Sequence, residues 1–466
     1  MTFAALLLMS QATPLVIDPS AAQGKWEGWG TSLCWMGNPF GERDDIADLL
    51  FTTKTVKIGD EELPGLGMTV VRYNAGACGP GEVEGRTMVL SKNVLPFRQM
   101  EGLWLDPSKG EAGWDWTRDP HQRAMMLKAK ARGANRFELF SNSPMWWMCA
   151  DANPSGAAKA TDDNLRPDMH GAFAKYLATI AAQAPRRWGV RFTSVEPFNE
   201  PDTDYWSATG RQEGCHFSPA TQAAFLPILR QELDRQGLKK LPIAASDETS
   251  FDHARTTWTS LAPALKDLVG RVNVHGYQQS ETARTAFAAV LGDKPRWNSE
   301  HGDGDASGLS TARELSLDLH VLRPTGWCYW QPLDGGGWGF LNCDMPSATV
   351  KGVNPKLFVL AHYMRHVRPG MTIIKTDDAG IVVAYDAKAR KLVIVAENQK
   401  EAATKTFDLS GFRLGRQTAA HWITEPKGTA RYLKTGDIIL NGSVLHIDLP
   451  AASVQTFEIS EVRLPR

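Results

Sequence analysis

Cysteine is scarce in this chain. Six residues in 466 (Cys34, Cys78, Cys149, Cys215, Cys328, Cys343) never form a Cys-x-x-Cys pair, which argues against a zinc site and leaves disulfide pairing unreadable from spacing. An excess of one charge is missing too. Lys+Arg 51 against Asp+Glu 52 gives a formal net charge of −1, and with no basic block no nucleic-acid or other polyanionic partner is implied. No run approaches the ~18 consecutive apolar residues of a membrane span, so a soluble protein with no membrane partner is expected. P-loop, Gly-x-Ser-x-Gly and His-Glu-x-x-His motifs are absent. The glycine-rich segment from Gly302 to Gly308 follows a carboxylate and is not Gly-x-Gly-x-x-Gly, so neither cofactor nor metal is expected.

Residues 1–12 hold an apolar stretch ending Ser10-Gln11-Ala12. This reads as a truncated secretory signal without a basic start, and predicts a secreted or periplasmic protein. Beyond it, strand-like runs alternate with helical ones. Gly28 to Leu33, Met68 to Asn74, Arg136 to Phe140, the run ending near Glu200, Leu241 to Glu248, Arg271 to Tyr277, the run ending near Glu300 and Gly326 to Gln331 read as strands. The intervening helices are expected at Asp44–Phe51, His121–Arg132, His170–Ala182, Pro219–Gln236, His253–Leu268, Glu281–Leu291 and Leu309–Leu322, with Pro355–Arg365 last. Residues 78–119 lack periodicity and read as an extended loop. Eight strand-then-helix units are the count that a closed (β/α)₈ barrel requires.

After Arg368-Pro369-Gly370 the period changes to short β runs separated by turn residues, from Ile381 to Phe457. The α/β barrel is therefore expected over residues 26–368. An antiparallel β-sandwich is expected over 369–466, joined by an N-terminal strand within 13–25.

Two acidic stretches stand out. Val195-Glu196-Pro197-Phe198-Asn199-Glu200-Pro201 and Trp297-Asn298-Ser299-Glu300-His301-Gly302-Asp303 each carry a β-favouring run into a carboxylate and then a loop. Strand ends of a parallel barrel converge on one rim, and two carboxylates meeting there suit acid-assisted cleavage of a glycosidic bond. Glu196 is expected deeper in the strand, where burial would demand a partner. Asp303 and Asp305 read as solvated loop acids. Tryptophan is abundant, at 16 residues. Trp35, Trp146, Trp147, Trp206, Trp330 and Trp338 sit where strands end, and indole faces pack against the C–H faces of sugars.

The set Gly28-Trp29-Gly30-Thr31-Ser32-Leu33, Val71-Arg72-Tyr73-Asn74, Ser141-Asn142-Ser143-Pro144-Met145-Trp146-Trp147-Met148, Pro197-Phe198-Asn199-Glu200-Pro201, His275-Gly276-Tyr277, Ser299-Glu300 and Trp330-Gln331-Pro332 resembles glycoside hydrolase family 30. Within the family it is most similar to the endo-β-1,6-galactanase branch. The likeness runs in order along nearly the whole chain and departs from the family pattern at Cys34 and Met36. It implies a barrel with a β-sandwich at its side, and a retaining mechanism with Glu200 as acid/base and Glu300 as nucleophile. It further implies Asn199 at the sugar 2-hydroxyl, Arg72 and Tyr277 on Glu300, His275 near a sugar hydroxyl or Glu200, and Trp330 as stacking platform. Trp146, Trp35 and Asn142 would lie on the cleft wall. The substrate implied is a polysaccharide or oligosaccharide, met by a monomer. Action on β-1,6-glucan or xylan, exo-acting release of galactobiose, and a non-catalytic carbohydrate-binding protein are the alternatives.

Overall fold

The computed structural model describes residues 13–465; the expected signal at 1–12 lies outside them. The chain divides into two compact units, residues 27–369 and residues 13–26 with 370–465.

In the larger unit eight parallel strands close into a barrel. They are β1 (Gly28–Ser32), β2 (Val70–Asn74), β3 (Arg136–Phe140), β4 (Ser194–Glu196), β5 (Ile243–Glu248), β6 (Val269–His275), β7 (Arg296–His301) and β8 (Gly326–Tyr329). Each strand pairs with its chain neighbours, and β8 returns to β1. The Gly-Trp-Gly pattern of β1 has a steric origin. A Cβ on Gly30 would lie 2.5 Å from Val70 Cβ and 2.9 Å from Cys328 Sγ, so only glycine lets β1 close against β2 and β8.

Helices start where the sequence offers caps. Ser218, Ser250 and Ser280 accept backbone N–H bonds from Thr221, His253 and Ala283 at 3.3, 3.2 and 3.1 Å, each worth about 1 kcal/mol relative to alanine. The helix expected at His253–Leu268 is two, Phe251–Ser260 and Pro263–Leu268, because Pro263 cannot continue a helix but opens one well. The segment expected as Leu309–Leu322 is an α-helix only to Leu317 and then a π-helical turn. Three small sheets depart from the expected elements, the hairpin Thr55–Ile58 with Glu61–Pro64, the hairpin Glu82–Val83 with Arg86–Thr87 inside the segment read as a loop, and the set Leu333–Asp334, Leu341–Asp344 and Thr349–Val353.

The smaller unit is two larger sheets and the short pair Arg413–Leu414 with Val462–Arg463 around one apolar core. Ile381, Val383 and Tyr385 point into that core with Leu392, Ile394 and Ala396 of the paired strand, and the intervening Val382, Ala384, Val393 and Val395 are buried too, so both faces of this pair are covered. Both N-terminal strands join it: Leu15–Val16 runs parallel to Ala403–Asp408, and Ala22–Lys25 pairs with Thr372–Ile374. All six cysteines are free and buried. No helix of the described residues is long and apolar enough to cross a membrane.

Candidate active site

The barrel interior under the rim is ionic. Register places Arg72 of β2 beside Glu138 of β3, and Arg72 Nε donates to Glu138 Oε1 at 2.9 Å. Glu138 also accepts from Ser194 Oγ at 2.8 Å, from Asn273 Nδ2 at 3.1 Å and from Arg271. Arg72 is fully buried. Its other nitrogens reach Asp247, Ser299 O at 3.2 Å and Glu300 Oε2 at 3.4 Å. One guanidinium thus ties three carboxylates, and although burial opposes its charge, Asp247, Glu138 and Glu300 hold it protonated.

Glu300 lies within β7, whereas Glu200 stands four residues past the end of β4. Sequence reading had put both at strand ends. Glu200 has φ +48°, a left-handed conformation that costs a non-glycine residue about 1–3 kcal/mol and persists only when neighbours impose it. Here Glu200 N–H donates to Asp247 O at 2.8 Å, while its carbonyl accepts from Trp206 Nε1 at 2.8 Å and Thr203 Oγ1 at 2.9 Å. That turn brings the Glu200 carboxylate back over the barrel mouth.

His275, paired with Glu300 across β6 and β7, joins the two acids. Its Nδ1 lies 3.1 Å from Glu200 Oε1 and 3.3 Å from Glu300 Oε1, and its Nε2 lies 3.6 Å from Asp247 Oδ2. Oxygens of Glu200 and Glu300 and the His275 nitrogen all fall within 4.8 Å of one another. Burial disfavours the imidazolium, but Glu300, Asp247 and Glu200 together raise the His275 pKa to about 10. Tyr277 Oη donates to Glu300 Oε1 at 2.8 Å, and Tyr205 Oη donates to Glu200 Oε2. Burial pushes the Glu300 carboxyl up to about 7, with the Glu200 charge adding and His275, Arg72 and Tyr277 pulling back. For Asp247 the balance is reversed: Arg72 and His275 outweigh burial and hold it below the ordinary carboxylate range.

The remaining expected residues divide. Asn199 is buried with Oδ1 unpaired, an acceptor left for an incoming hydroxyl. Asn142 is fixed through its N–H to Asn74 Oδ1 at 3.0 Å and its amide to Cys34 Sγ at 3.5 Å, also with Oδ1 unpaired. Trp330 and Trp35 meet edge to face at 5.0 Å beside Met100 and Phe140. The Arg98 guanidinium lies 4.1 Å over the Trp35 ring, which leaves Trp330 the better platform. Trp146 is 0 % exposed and presents no face to a sugar; it fills space under the loop that follows β3.

Glu196 is buried as expected, but the partner that burial seemed to demand is slight. Oε1 accepts from Phe198 N–H at 3.2 Å and Oε2 has no hydrogen bond. Burial, then the charges of Asp247 and Glu138, raise its pKa far above the ordinary range, so it persists as a neutral acid. Asp303 and Asp305 structure their own loop: Asp303 accepts from Lys356 Nζ at 2.8 Å and Thr311 Oγ1 at 2.7 Å, and Asp305 from Ser307 Oγ at 2.7 Å.

Asp247, Tyr205, Glu138 and Glu213 were not foreseen. Glu213 accepts from Asn74 Nδ2 at 3.1 Å and from the backbone N–H groups of Ala77 and Met100 at 3.2 Å, pinning the long loop of residues 78–119 against β2. That loop also borders a cavity of ≈510 Å³ lined by Asn38, Gln99, Glu101, Arg118 and His121 among others, which none of the clustered acids touches.

Two close acids, a bridging imidazolium and the Trp330 indole beside them invite comparison with known sugar-cleaving barrels. The sequence model described as O-glycosyl hydrolase family 30 matches residues 12–261. The chain is 45% identical over 472 residues to an endo-β-1,6-galactanase of Hypocrea rufa, covering 99% of this chain and 98% of that protein. It is 23% identical to an exo-β-1,6-galactobiohydrolase of Bifidobacterium longum subsp. longum, covering 72% of this chain but 29% of that longer protein. Among solved structures, a glycoside hydrolase family 30 subfamily 8 xylanase from Clostridium acetobutylicum superposes with a TM-score of 0.70 at 18% identity, over 96% of this chain and 100% of that one. With a family match over half its length and a full-length relative at 45% identity, this chain belongs to O-glycosyl hydrolase family 30.

Proposed function

We propose that this chain is a retaining, endo-acting hydrolase of β-1,6-linked galactan in which Glu300 is the nucleophile and Glu200 the acid/base. The observation that carries the mechanism is the approach of the two carboxylates, with oxygens within 4.8 Å. Retaining glycosidases hold their carboxyl groups ~5–5.5 Å apart, whereas inverting ones leave ~6.5–9.5 Å for a water. The choice of galactan rests on the 45% identity to the Hypocrea rufa galactanase.

In this mechanism a Glu300 oxygen attacks the anomeric carbon while Glu200 protonates the departing glycosidic oxygen, giving a glycosyl ester of Glu300. Water then enters where the leaving group stood. Glu200 takes its proton, the ester C–O bond breaks, and Glu300 departs as a carboxylate. Arg72 and Tyr277 donate to the charge that Glu300 carries before attack and regains on release. His275 and Tyr205 orient Glu200 for its two proton transfers. Asn199 is aimed at the sugar 2-hydroxyl and Trp330 packs the ring's C–H face.

We take the enzyme to act as a monomer, to be checked by light scattering on the eluting protein. A polymeric substrate cannot cross a membrane intact, so we place the enzyme outside the cytoplasm, in keeping with the apolar opening of the sequence. Replacing Glu300 by Gln tests the assignment: hydrolysis of β-1,6-galactan should vanish while oligosaccharide binding stays measurable by calorimetry. Hydrolysis at the wild-type rate would remove Glu300 from the nucleophile's role.

A further inference from the structure

We propose that Trp338 is a second sugar-stacking platform, holding a pyranose unit of the same glycan chain one or more residues away from the bond that is cut. The proposal rests on the substrate reading above and extends it beyond the scissile bond. Trp338 is 39 % exposed, and a single exposed indole is ordinary in itself. Its mounting is not ordinary.

Trp338 sits in the run Gly335-Gly336-Gly337-Trp338-Gly339, a composition that by itself would be among the most mobile in the chain. Here that run is tied down residue by residue. Asn354 Nδ2 donates to Gly336 O and to Gly339 O, both at 2.8 Å. Gly336 N–H donates to Asn342 Oδ1 at 3.0 Å. Lys356 Nζ, on a fully buried side chain, donates to Gly337 O at 2.9 Å and also to Asp303 Oδ1 and Asp303 O at 2.8 Å. Tyr329 Oη donates to Trp338 O. One ammonium thus clamps the Trp338 loop to the loop that leaves Glu300.

The indole rests on that second loop. A Cβ built on Gly302, two residues after Glu300, would lie 3.1 Å from Trp338 Cζ3 and 3.4 Å from Trp330 Cβ; one on Gly304 would lie 3.6 Å from Trp338 Nε1. Gly337 approaches still closer, since its Cβ would meet Gly304 O at 2.1 Å. Glycines at 302, 304 and 337 therefore let the ring lie across backbone, in contact at both its Cζ3 and its Nε1 ends, with the rest of it open to solvent near Trp330. Ordering a glycine run around an aromatic that stays 39 % exposed costs conformational entropy that its partial burial returns only in part. It is the arrangement expected of a preorganised contact for a ligand with an apolar face, and the C–H face of a pyranose in a chain threaded past Glu300 is such a ligand.

The test uses full-length enzyme on linear β-1,6-galacto-oligosaccharides of three to six units. For Trp338→Ala the loss in kcat/KM should grow with chain length, from about threefold on the shortest oligosaccharide cleaved to about tenfold or more on the longest, the latter about 1.4 kcal/mol. Trp338→Phe should recover most of the loss. Near-UV circular dichroism and the melting temperature establish that each variant is folded. A loss equal at every length, or none, overturns the platform. Wild-type turnover on the same series tests the substrate reading separately: if the wild type cleaves β-1,6-glucan or xylan oligomers instead, the length dependence is read on that series, and a length-independent ratio there overturns the platform equally.

Discussion

Tyr277→Phe removes one oxygen and, on this account, separates the two limbs of the pH profile. Tyr277 donates at 2.8 Å to Glu300 Oε1, on a carboxylate only 5 % exposed. A hydrogen bond to a buried charge is worth ~1.5–3 kcal/mol, and about 1.4 kcal/mol corresponds to one pKa unit. The variant therefore raises the ionisation of Glu300 by about 1–2 units. The productive free enzyme holds one proton on the Glu200–Glu300 pair, with Glu300 ionised. On the acid side activity disappears as Glu300 takes up a proton, so this limb moves to higher pH by the same ~1–2 units. The alkaline limb is the loss of the pair's last proton. Glu300 is ionised on both sides of that step, so it moves little, whereas burial and the Glu200 charge set the Glu300 ionisation of the acid limb near 7. Ester breakdown regenerates the Glu300 carboxylate without its phenol donor, and kcat falls roughly 10- to 100-fold. The assay is kcat/KM on a linear β-1,6-galacto-oligosaccharide from pH 4 to 9, with kcat at the optimum. Limbs that shift together, or a profile indistinguishable from the wild type, would refute the reasoning.

Three other outcomes follow from the same contacts. Arg72→Met strips a cation from Glu138, Asp247 and Glu300 and should destabilise the fold by about 3–5 kcal/mol, the cost of an unpaired buried charge, read from denaturant midpoints at unchanged m. Glu196→Gln should stabilise, increasingly with pH. The native pKa of Glu196 is raised from 4.5, so the group's contribution is fully present below pH 4.5 and is lost as pH rises towards its folded pKa; melting temperatures of variant and wild type should coincide near pH 4 and diverge above it, and a constant gap would contradict a neutral Glu196. Glu200→Ala should slow natural oligosaccharides by at least about 10²-fold, the scale of general acid–base catalysis, yet spare the first step on an aryl glycoside whose leaving group needs no proton; equal loss on both would move the acid elsewhere.

Much of this site was legible because barrel strands converge by construction. His275 and Tyr277 end or follow β6, Glu300 is next to last in β7 and Arg72 sits in the middle of β2, and once eight strands are counted their meeting at or just under one rim is geometry. Asp247 was legible in principle, as it is next to last in β5, but its partners are Arg72 and Ser299 on other strands, and nothing local distinguishes it from Glu248. Glu248 turns instead to Gln222 and Thr257. Tyr205 reaches Glu200 through a loop whose path follows from the left-handed turn at Glu200, and no periodicity encodes that turn. The tryptophans were read by chemistry alone. Position at a strand end does not tell a buried ring from a presented one: Trp146 went inside, Trp206 became a hydrogen-bond donor to Glu200 O, and Trp338 stayed out. In the smaller unit the apolar run Ile381 to Tyr385 marked a strand but not which of its buried faces meets the core, and the joining of both N-terminal strands depends on long-range pairing.

The most direct measurement of the central claim is time-resolved proton NMR of the anomeric region while the enzyme acts on a linear β-1,6-galactan. The account predicts a ladder of β-1,6-galacto-oligosaccharides whose new reducing ends appear first as the β-anomer and only later mutarotate. Initial release of the α-anomer would contradict the double displacement by Glu300 and Glu200, and release of galactobiose alone would contradict endo action.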